Sequence, residues 1–323
     1  MAKVGFIGLG NVGGKLAGSL LRNGVDLTVR DLNQSVAQPF LDAGAKWGES
    51  PKQMAEATDI LITCLPSPDA SARVMEAEDG ALKGLSEGKI WAEMSTTDEA
   101  EVKRLGALVK EVGAAPIDCP VSGGCHRAAT GNIAIFVGGE RAAFERIMPV
   151  LAHMGRRILH TGPLGSASVL KVVTNYLATA NLLTLCEALV TSKVAGMDLN
   201  TTYEAIRISS GNSFVHETES QVILNGSRDI NFTMDLVYKD IRLFSEVAKR
   251  GNLQLELAPM MVEIIEDGQK RFGPREHSPN IIKRLEEAAG VDILAPGFPP
   301  EMVDDEPEVP GDEVNVKGRD DAR

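Results

Sequence analysis

Apolar residues fall in short unbroken runs through the first half of the chain and in long helical-period stretches through the second. Runs at residues 3–7, 27–30, 60–65, 89–94, 115–119, 133–137 and 157–160, bounded by glycine, proline or polar clusters, predict short buried strands. Amphipathic stretches at 14–21, 99–112 and 141–154 predict helices between them. Strands alternating with helices imply a doubly wound, mostly parallel sheet. After Gly162 the strand signals stop. Residues 166–195 hold no proline or glycine and are apolar nearly all round, which predicts one long helix buried between domains or subunits. Further helices are predicted at 201–210, 213–224, 234–249, 259–272 and 278–289. The break at Gly162-Pro163-Leu164-Gly165 sets the expected domains at 1–162 and 163–295, with a tail at 296–323.

The first strand runs directly into Gly8-Leu9-Gly10-Asn11-Val12-Gly13 and then a helix. In a strand–turn–helix unit this spacing supplies one glycine for the tight turn, one for close approach of a pyrophosphate, and one for helix–strand packing. The second strand ends in Asp31, 18 residues after Gly13. A carboxylate there accepts hydrogen bonds from the adenosine ribose and repels a 2′-phosphate, which favours NAD over NADP. The neighbouring Arg30 keeps NADP open. The fold class expected is therefore α/β, an N-terminal Rossmann sheet followed by an all-α domain.

Composition narrows the setting. With 323 residues, 43% of them hydrophobic, the chain can fill two cores. The net charge of −12 disfavours a nucleic-acid partner. No unbroken apolar run reaches membrane-spanning length, and no charged-then-apolar leader precedes the first strand, so no membrane partner is expected. Cys64, Cys119, Cys125 and Cys186 lack CxxC spacing and read as reduced thiols of a cytoplasmic protein. Half of the net charge lies in the tail, where residues 296–323 carry nine acidic and three basic side chains. That segment reads as a solvated arm, or as an extended segment lying on a partner subunit.

Two further clusters carry chemistry. Asp118-Cys119-Pro120-Val121-Ser122-Gly123-Gly124 follows a predicted strand, at the end where doubly wound sheets bind ligands. Ser122, Gly123 and Gly124 offer a hydroxyl and exposed N–H groups suited to a carboxylate. Lys171 lies within Val169-Leu170-Lys171-Val172-Val173, where burial of an ammonium is costly and lowers its pKa toward neutrality. Asn175 follows one helical turn later on the same face. His126 beside Cys125 lacks metal-ligand spacing, and no metal is expected.

These blocks together resemble the β-hydroxyacid dehydrogenase family, which includes 3-hydroxyisobutyrate dehydrogenase and tartronate semialdehyde reductase. The resemblance runs from about Lys3 to Ala289 in four ordered blocks: residues 5–13; 118–124 with Ala128 and Gly131; Gly165 with Lys171 and Asn175; and Phe232 with Lys239-Asp240. It implies that Gly8, Gly10, Asn11, Val12, Gly13, Asp31, Leu65, Pro66, Ser95, Thr96 and Phe232 contact the cofactor. By the same resemblance Ser122, Gly123 and Gly124 hold the substrate carboxylate, Lys171 is the general acid/base, Asn175 orients the substrate, and Lys239 lines the site beside the nicotinamide. It also implies a homodimer or homotetramer through the helical domain. Two departures stand out: the 95–98 loop lacks the proline usual there, and Cys125-His126-Arg127 replace smaller residues.

The expected activity is reversible NAD-dependent oxidation of a small carboxylate-bearing hydroxy acid to its semialdehyde or keto acid. Alternatives are tartronate semialdehyde reduction, dehydrogenation of 4-hydroxybutyrate, threonate or a serine-like amino acid, and a catalytically silent NAD-binding module. Imine reduction and 6-phosphogluconate dehydrogenation fit less well, because Lys171 is present and Thr174, not histidine, precedes Asn175.

Overall fold

The computed structural model describes residues 2–319. Residues 2–171 together with 304–319 form one compact unit, and residues 172–303 form a second.

The first unit is built on one sheet. In chain order it contains β1 (Val4–Ile7), α1 (Gly13–Arg22), β2 (Leu27–Arg30), α2 (Gln38–Asp42), β3 (Lys46–Trp47), α3 (Pro51–Ala57), β4 (Ile60–Thr63) and α4 (Pro68–Glu76). Then come β5 (Ile90–Glu93), α5 (Glu99–Glu111), β6 (Ala115–Asp118), β7 (Val121–Ser122), α6 (Gly124–Ala129), β8 (Ile133–Gly138), α7 (Arg141–Leu151) and β9 (Gly155–Gly162). The strands lie in the order β9, β8, β6, β5, β4, β1, β2, β3. Most pairs are parallel, with Phe6 opposite Val29 on one side and Ile62 on the other. Only β8 runs antiparallel to its neighbours β6 and β7.

Both faces of this sheet are buried, so its strands read as continuous apolar runs instead of alternating ones. Phe6, Ile62 and Ala92 pack with Leu16 of α1, Ala128 of α6 and Phe144 of α7. Ile7, Leu61 and Trp91 face the other way, against Met54 of α3, Met75 of α4 and Leu105 of α5. The Trp91 indole N–H donates to Thr63 Oγ1 at 3.0 Å, which satisfies the one polar atom of a fully buried ring.

The helix α8 (Ser166–Val194) is 29 residues long, and the first unit ends within it at Lys171. The sequence expectation put the break at the glycine–proline turn just upstream. The chain instead continues through it, because Ser166 opens the helix three residues after Pro163. By length and mean hydropathy α8 meets the test for a membrane-crossing helix, with 33% of its most apolar stretch buried. No unbroken apolar run of that length is present; averaged over 18 residues, leucine and valine outweigh Lys171 and Asn175.

In the second unit, Leu182, Leu185, Cys186, Leu189 and Val190 of α8 enter the core. They meet residues of α9 (Leu199–Arg207), α10 (Phe214–Asn225), α11 (Met234–Arg250), α12 (Leu257–Phe272) and the turn before α13 (Lys283–Ala289). Asp198 and Ser213 cap α9 and α10 by accepting from the Thr201 and His216 amides. The stretch 278–289, expected as one helix, opens with a 3-10 turn at Ser278–Ile282 before α13.

The acidic tail is not a solvated arm along its described length. It returns to the first unit, where β10 (Asp312–Glu313) pairs in parallel with β9 at Arg157 and Ile158. Arg141 donates to both carboxylate oxygens of Glu313, at 2.6 and 2.9 Å. Asp304, Glu306, Glu308 and Glu313 meet arginine, asparagine and threonine side chains, a match that composition alone cannot register. Residues 320–323 of the tail lie outside the described residues.

Candidate active site

The glycine turn is shaped by close approach. A Cβ on Gly8, whose φ is +102°, would lie 2.2 Å from the Cys64 carbonyl oxygen, and one on Gly13 would lie 2.1 Å from the Gly8 oxygen. Neither position admits a side chain. Gly10 is different: a Cβ there would meet nothing within 4 Å. Its backbone faces open space that a bound pyrophosphate can fill, beside a helix start at Val12 that no side chain caps. The residues present therefore fit a dinucleotide.

Asp31 is fastened to this turn. Its Oδ2 accepts from the Leu9 amide at 2.7 Å and its Oδ1 from the Asn33 amide at 2.9 Å. Each carboxylate oxygen retains a lone pair for a ribose hydroxyl. Arg30 turns away toward the sheet edge, donating to the Gly48 and Glu49 carbonyls at 2.8 and 2.6 Å, with its guanidinium 5.6 Å from the centre of the Trp47 ring.

The loops after β4 and β5 are bound together. Ser95 Oγ accepts from the Leu65 amide at 2.7 Å and donates to Glu93, which also accepts from the Ser95 amide. Glu93 is fully buried, and burial pushes its carboxyl above the usual range despite these donors. Leu65, Pro66 and Thr96 sit on these two loops, Pro66 exposed and the others half-buried. The missing proline does not open the second loop, because Asp98 accepts from the Ala100 amide at 2.7 Å and starts α5.

Sequence reasoning missed the part played by Asp118. This fully buried carboxylate ends β6 and accepts from the Gly165 amide at 2.8 Å, the Ser168 amide at 2.7 Å and the Ser168 hydroxyl at 2.8 Å. Burial pushes its carboxyl up, and the three donors offset part of that shift. One side chain thus joins the root of the 119–124 loop to the first turn of α8. Lys171, 8% exposed, follows Ser168 by three residues on that helix. In the loop, Ser122 pairs with Ala134 across β7 and β8. Gly123 has φ +128° and Gly124 has φ +89°, conformations that glycine adopts without strain. The signal available in the sequence was a carboxylate closing a buried strand, which demands donors from elsewhere in the chain.

The second unit contributes its own cluster. Asn175 Nδ2 donates to Asp240 Oδ2 at 2.5 Å, and Lys239 Nζ lies 2.8 Å from Asp240 Oδ1 as an ion pair. That hydrogen bond fixes which way the Asn175 amide points. Asp240 is 2% exposed, so the pair of contacts holds a carboxylate that water does not reach. Phe232 is partly buried against the helical core and lies two residues before α11, which carries Lys239 and Asp240.

Both units match known proteins. Residues 3–162 match the family model described as the NAD binding domain of 6-phosphogluconate dehydrogenase, and residues 165–285 match that described as the NAD-binding of NADP-dependent 3-hydroxyisobutyrate dehydrogenase. The chain is 35% identical to 2-(hydroxymethyl)glutarate dehydrogenase of Eubacterium barkeri over 292 residues, 90% of this chain and 97% of that one. It is 32% identical to the NAD-dependent L-serine dehydrogenase of Pseudomonas aeruginosa, over 81% of this chain and 93% of that one. The crystal structure of a 3-hydroxyisobutyrate dehydrogenase from Salmonella typhimurium superposes with a TM-score of 0.79 at 26% identity, covering 87% of this chain and 99% of that one. The two family models together span residues 3–285, and the relatives are matched over most of their own length. The chain belongs to the β-hydroxyacid dehydrogenase family of NAD-dependent oxidoreductases.

Proposed function

We propose that the substrate is a 3-hydroxy acid of the form HOCH2–CHR–COO−, oxidised reversibly to the corresponding semialdehyde, with NAD preferred to NADP. The observation that carries this reading is the Asp118 clamp, which fixes the carboxylate-binding loop and the helix of Lys171 to one another within a single unit. The relatives support the substrate form. 3-Hydroxyisobutyrate, 2-(hydroxymethyl)glutarate and L-serine all bear a hydroxymethyl group on the carbon that carries the carboxylate.

In this reading the Ser122 hydroxyl and the Gly123 and Gly124 amides hold the carboxylate, which sets the distance from there to the hydroxyl carbon. Asn175, its amide oriented by Asp240, and Lys239 position the hydroxymethyl group. NAD, when bound, supplies the two-electron acceptor. Neutral Lys171 takes the hydroxyl proton as the C=O bond forms, and its ammonium form returns that proton in the reverse direction. The ammonium also stabilises negative charge on the oxygen during the transfer. Asp31 beside the glycine turn, and an Arg30 committed to carbonyl oxygens, support the preference for NAD.

We assign a second copy of the chain to the exposed stripe of α8, where Leu177 is 53% exposed and Thr184, Ala188 and Thr191 follow at helical spacing. The four free thiols support a reducing compartment such as the cytoplasm.

A spectrophotometric panel tests the substrate. 3-Hydroxyisobutyrate, 2-(hydroxymethyl)glutarate, L-serine and glycerate are offered with NAD and with NADP, beside 4-hydroxybutyrate and threonate. Turnover confined to the last two compounds, or faster with NADP, overturns the corresponding part of the reading.

A further inference from the structure

The second family model ends at residue 285, upstream of the tail that returns to the first unit. That tail does more than lie on the sheet edge. Asp304 Oδ2 accepts from Asn132 Nδ2 at 2.8 Å and from the Thr130 hydroxyl, and the Glu306 carbonyl accepts from the same Asn132 amide at 2.9 Å. Arg127 of α6 lies 3.7 Å from the Glu306 carboxylate. Thr130 is the C-terminal cap of α6, and Asn132 precedes the first residue of β8.

These contacts fall on one excursion of the chain. It leaves the sheet at Ser122, passes through Gly123 and Gly124 into α6, turns at 130–132 and comes back to pair at Ala134, opposite Ser122. The front of the excursion is held by that strand pair. Its back is held by Asp304 and by Arg22, whose guanidinium donates to the Ala129 carbonyl at 2.7 Å and to the tail's Glu308 at 3.3 Å. Asn23 donates to Glu308 at 2.9 Å. Because α6 is only six residues long, a displacement of its last turn carries through to Gly124 with little internal slack.

We propose that Asp304 is a positioning residue for substrate binding: it locks the back of α6 so that the 122–124 backbone presents its N–H groups in one fixed arrangement. The proposal rests on the reading of Ser122, Gly123 and Gly124 as the carboxylate site. Asp304 touches no reacting atom in this role. Its loss lets the loop sample other arrangements, so the substrate carboxylate is bound less tightly while the proton chemistry of Lys171 is untouched.

The test compares full-length Asp304→Ala, Asn132→Ala, Ser122→Ala and Arg141→Ala, the last releasing the tail at its far end. The probe is whichever 3-hydroxy acid of the panel above is turned over fastest. KM, kcat, NAD affinity and Tm are measured for each variant. For Asp304→Ala and Asn132→Ala, KM rises about tenfold with kcat within twofold and NAD affinity unchanged. The double variant adds little to either single one, and Arg141→Ala lowers Tm without moving KM. A lower Tm at unchanged KM for Asp304→Ala shows a purely structural tail and overturns the proposal, provided Ser122→Ala raises KM. If Ser122→Ala itself leaves KM unchanged, the carboxylate reading fails and the proposal falls with it. Should Asp304→Ala fold poorly, Thr130→Val removes one of the two donors and carries the same KM expectation.

Discussion

The two units hold their site groups by different means. In the sheet unit the groups are set by backbone: Gly8 and Gly13 by close approach to carbonyl oxygens, Asp31 by two amides, and the start of α8 by two amides and a hydroxyl reaching Asp118. In the helical unit side chains hold one another, Asn175 to Asp240 to Lys239. Backbone fixes a geometry before any particular side chain is chosen. A chain of side chains can be retuned one residue at a time.

The largest effect that sharpens this contrast is Lys171→Ala. In the acid/base role proposed for it, its removal lowers kcat about 10²–10⁴-fold while NAD affinity, measured by quenching or calorimetry, stays near wild type. Turnover at the wild-type rate breaks the assignment. Next come the two glycines. Gly8→Ala forces a Cβ into the Cys64 carbonyl at positive φ, and Tm falls by about 6–12 °C. Gly10→Ala leaves Tm unchanged and weakens NAD binding, since its Cβ enters only the space left for the pyrophosphate. Equal Tm losses would erase the distinction between a packed and an open glycine.

Asp240→Ala comes third. It frees the Asn175 amide and leaves Lys239 without its carboxylate, and kcat/KM falls about tenfold. The more conservative Asp240→Asn recovers part of this because it still accepts from Asn175. Smallest is an effect of acid on the tail. Hydrogen bonds from Arg141 hold the Glu313 carboxyl below its usual range; Glu145, His160 and Arg319 also face this pair. A carboxyl lowered by folding adds stability above its unfolded pKa and loses it as pH falls through the folded one. Amide-exchange protection at Gly311 and Val314, corrected for intrinsic rates, is therefore full at pH 7 and declines below about pH 4.

What could be read from the sequence was what is local. Apolar runs located β1, β4 and β5 because both faces of the sheet are covered, and the glycine spacing located the turn because Gly8 and Gly13 leave no room for a side chain and Gly10 leaves open space. The two-residue strands β3, β7 and β10 are too short for any periodicity. Pro68, one of the prolines that bound the 60–65 run, also opens α4 behind the Ser67 cap. Asp118 and Asp304 escaped because their donors lie 47 to 174 residues away. A carboxylate in a sequence reveals its charge but not the amides waiting for it.

The sheet ends at β9, an eight-residue strand whose outer rim is met by Asp312 and Glu313 and, beyond them, by the Val314 amide donating to the Ile158 carbonyl at 2.7 Å. Without that short ribbon the rim would be a row of bare peptide groups, ready to recruit the same strand from another molecule. Removing residues 312–319 would therefore cost solubility before it cost activity.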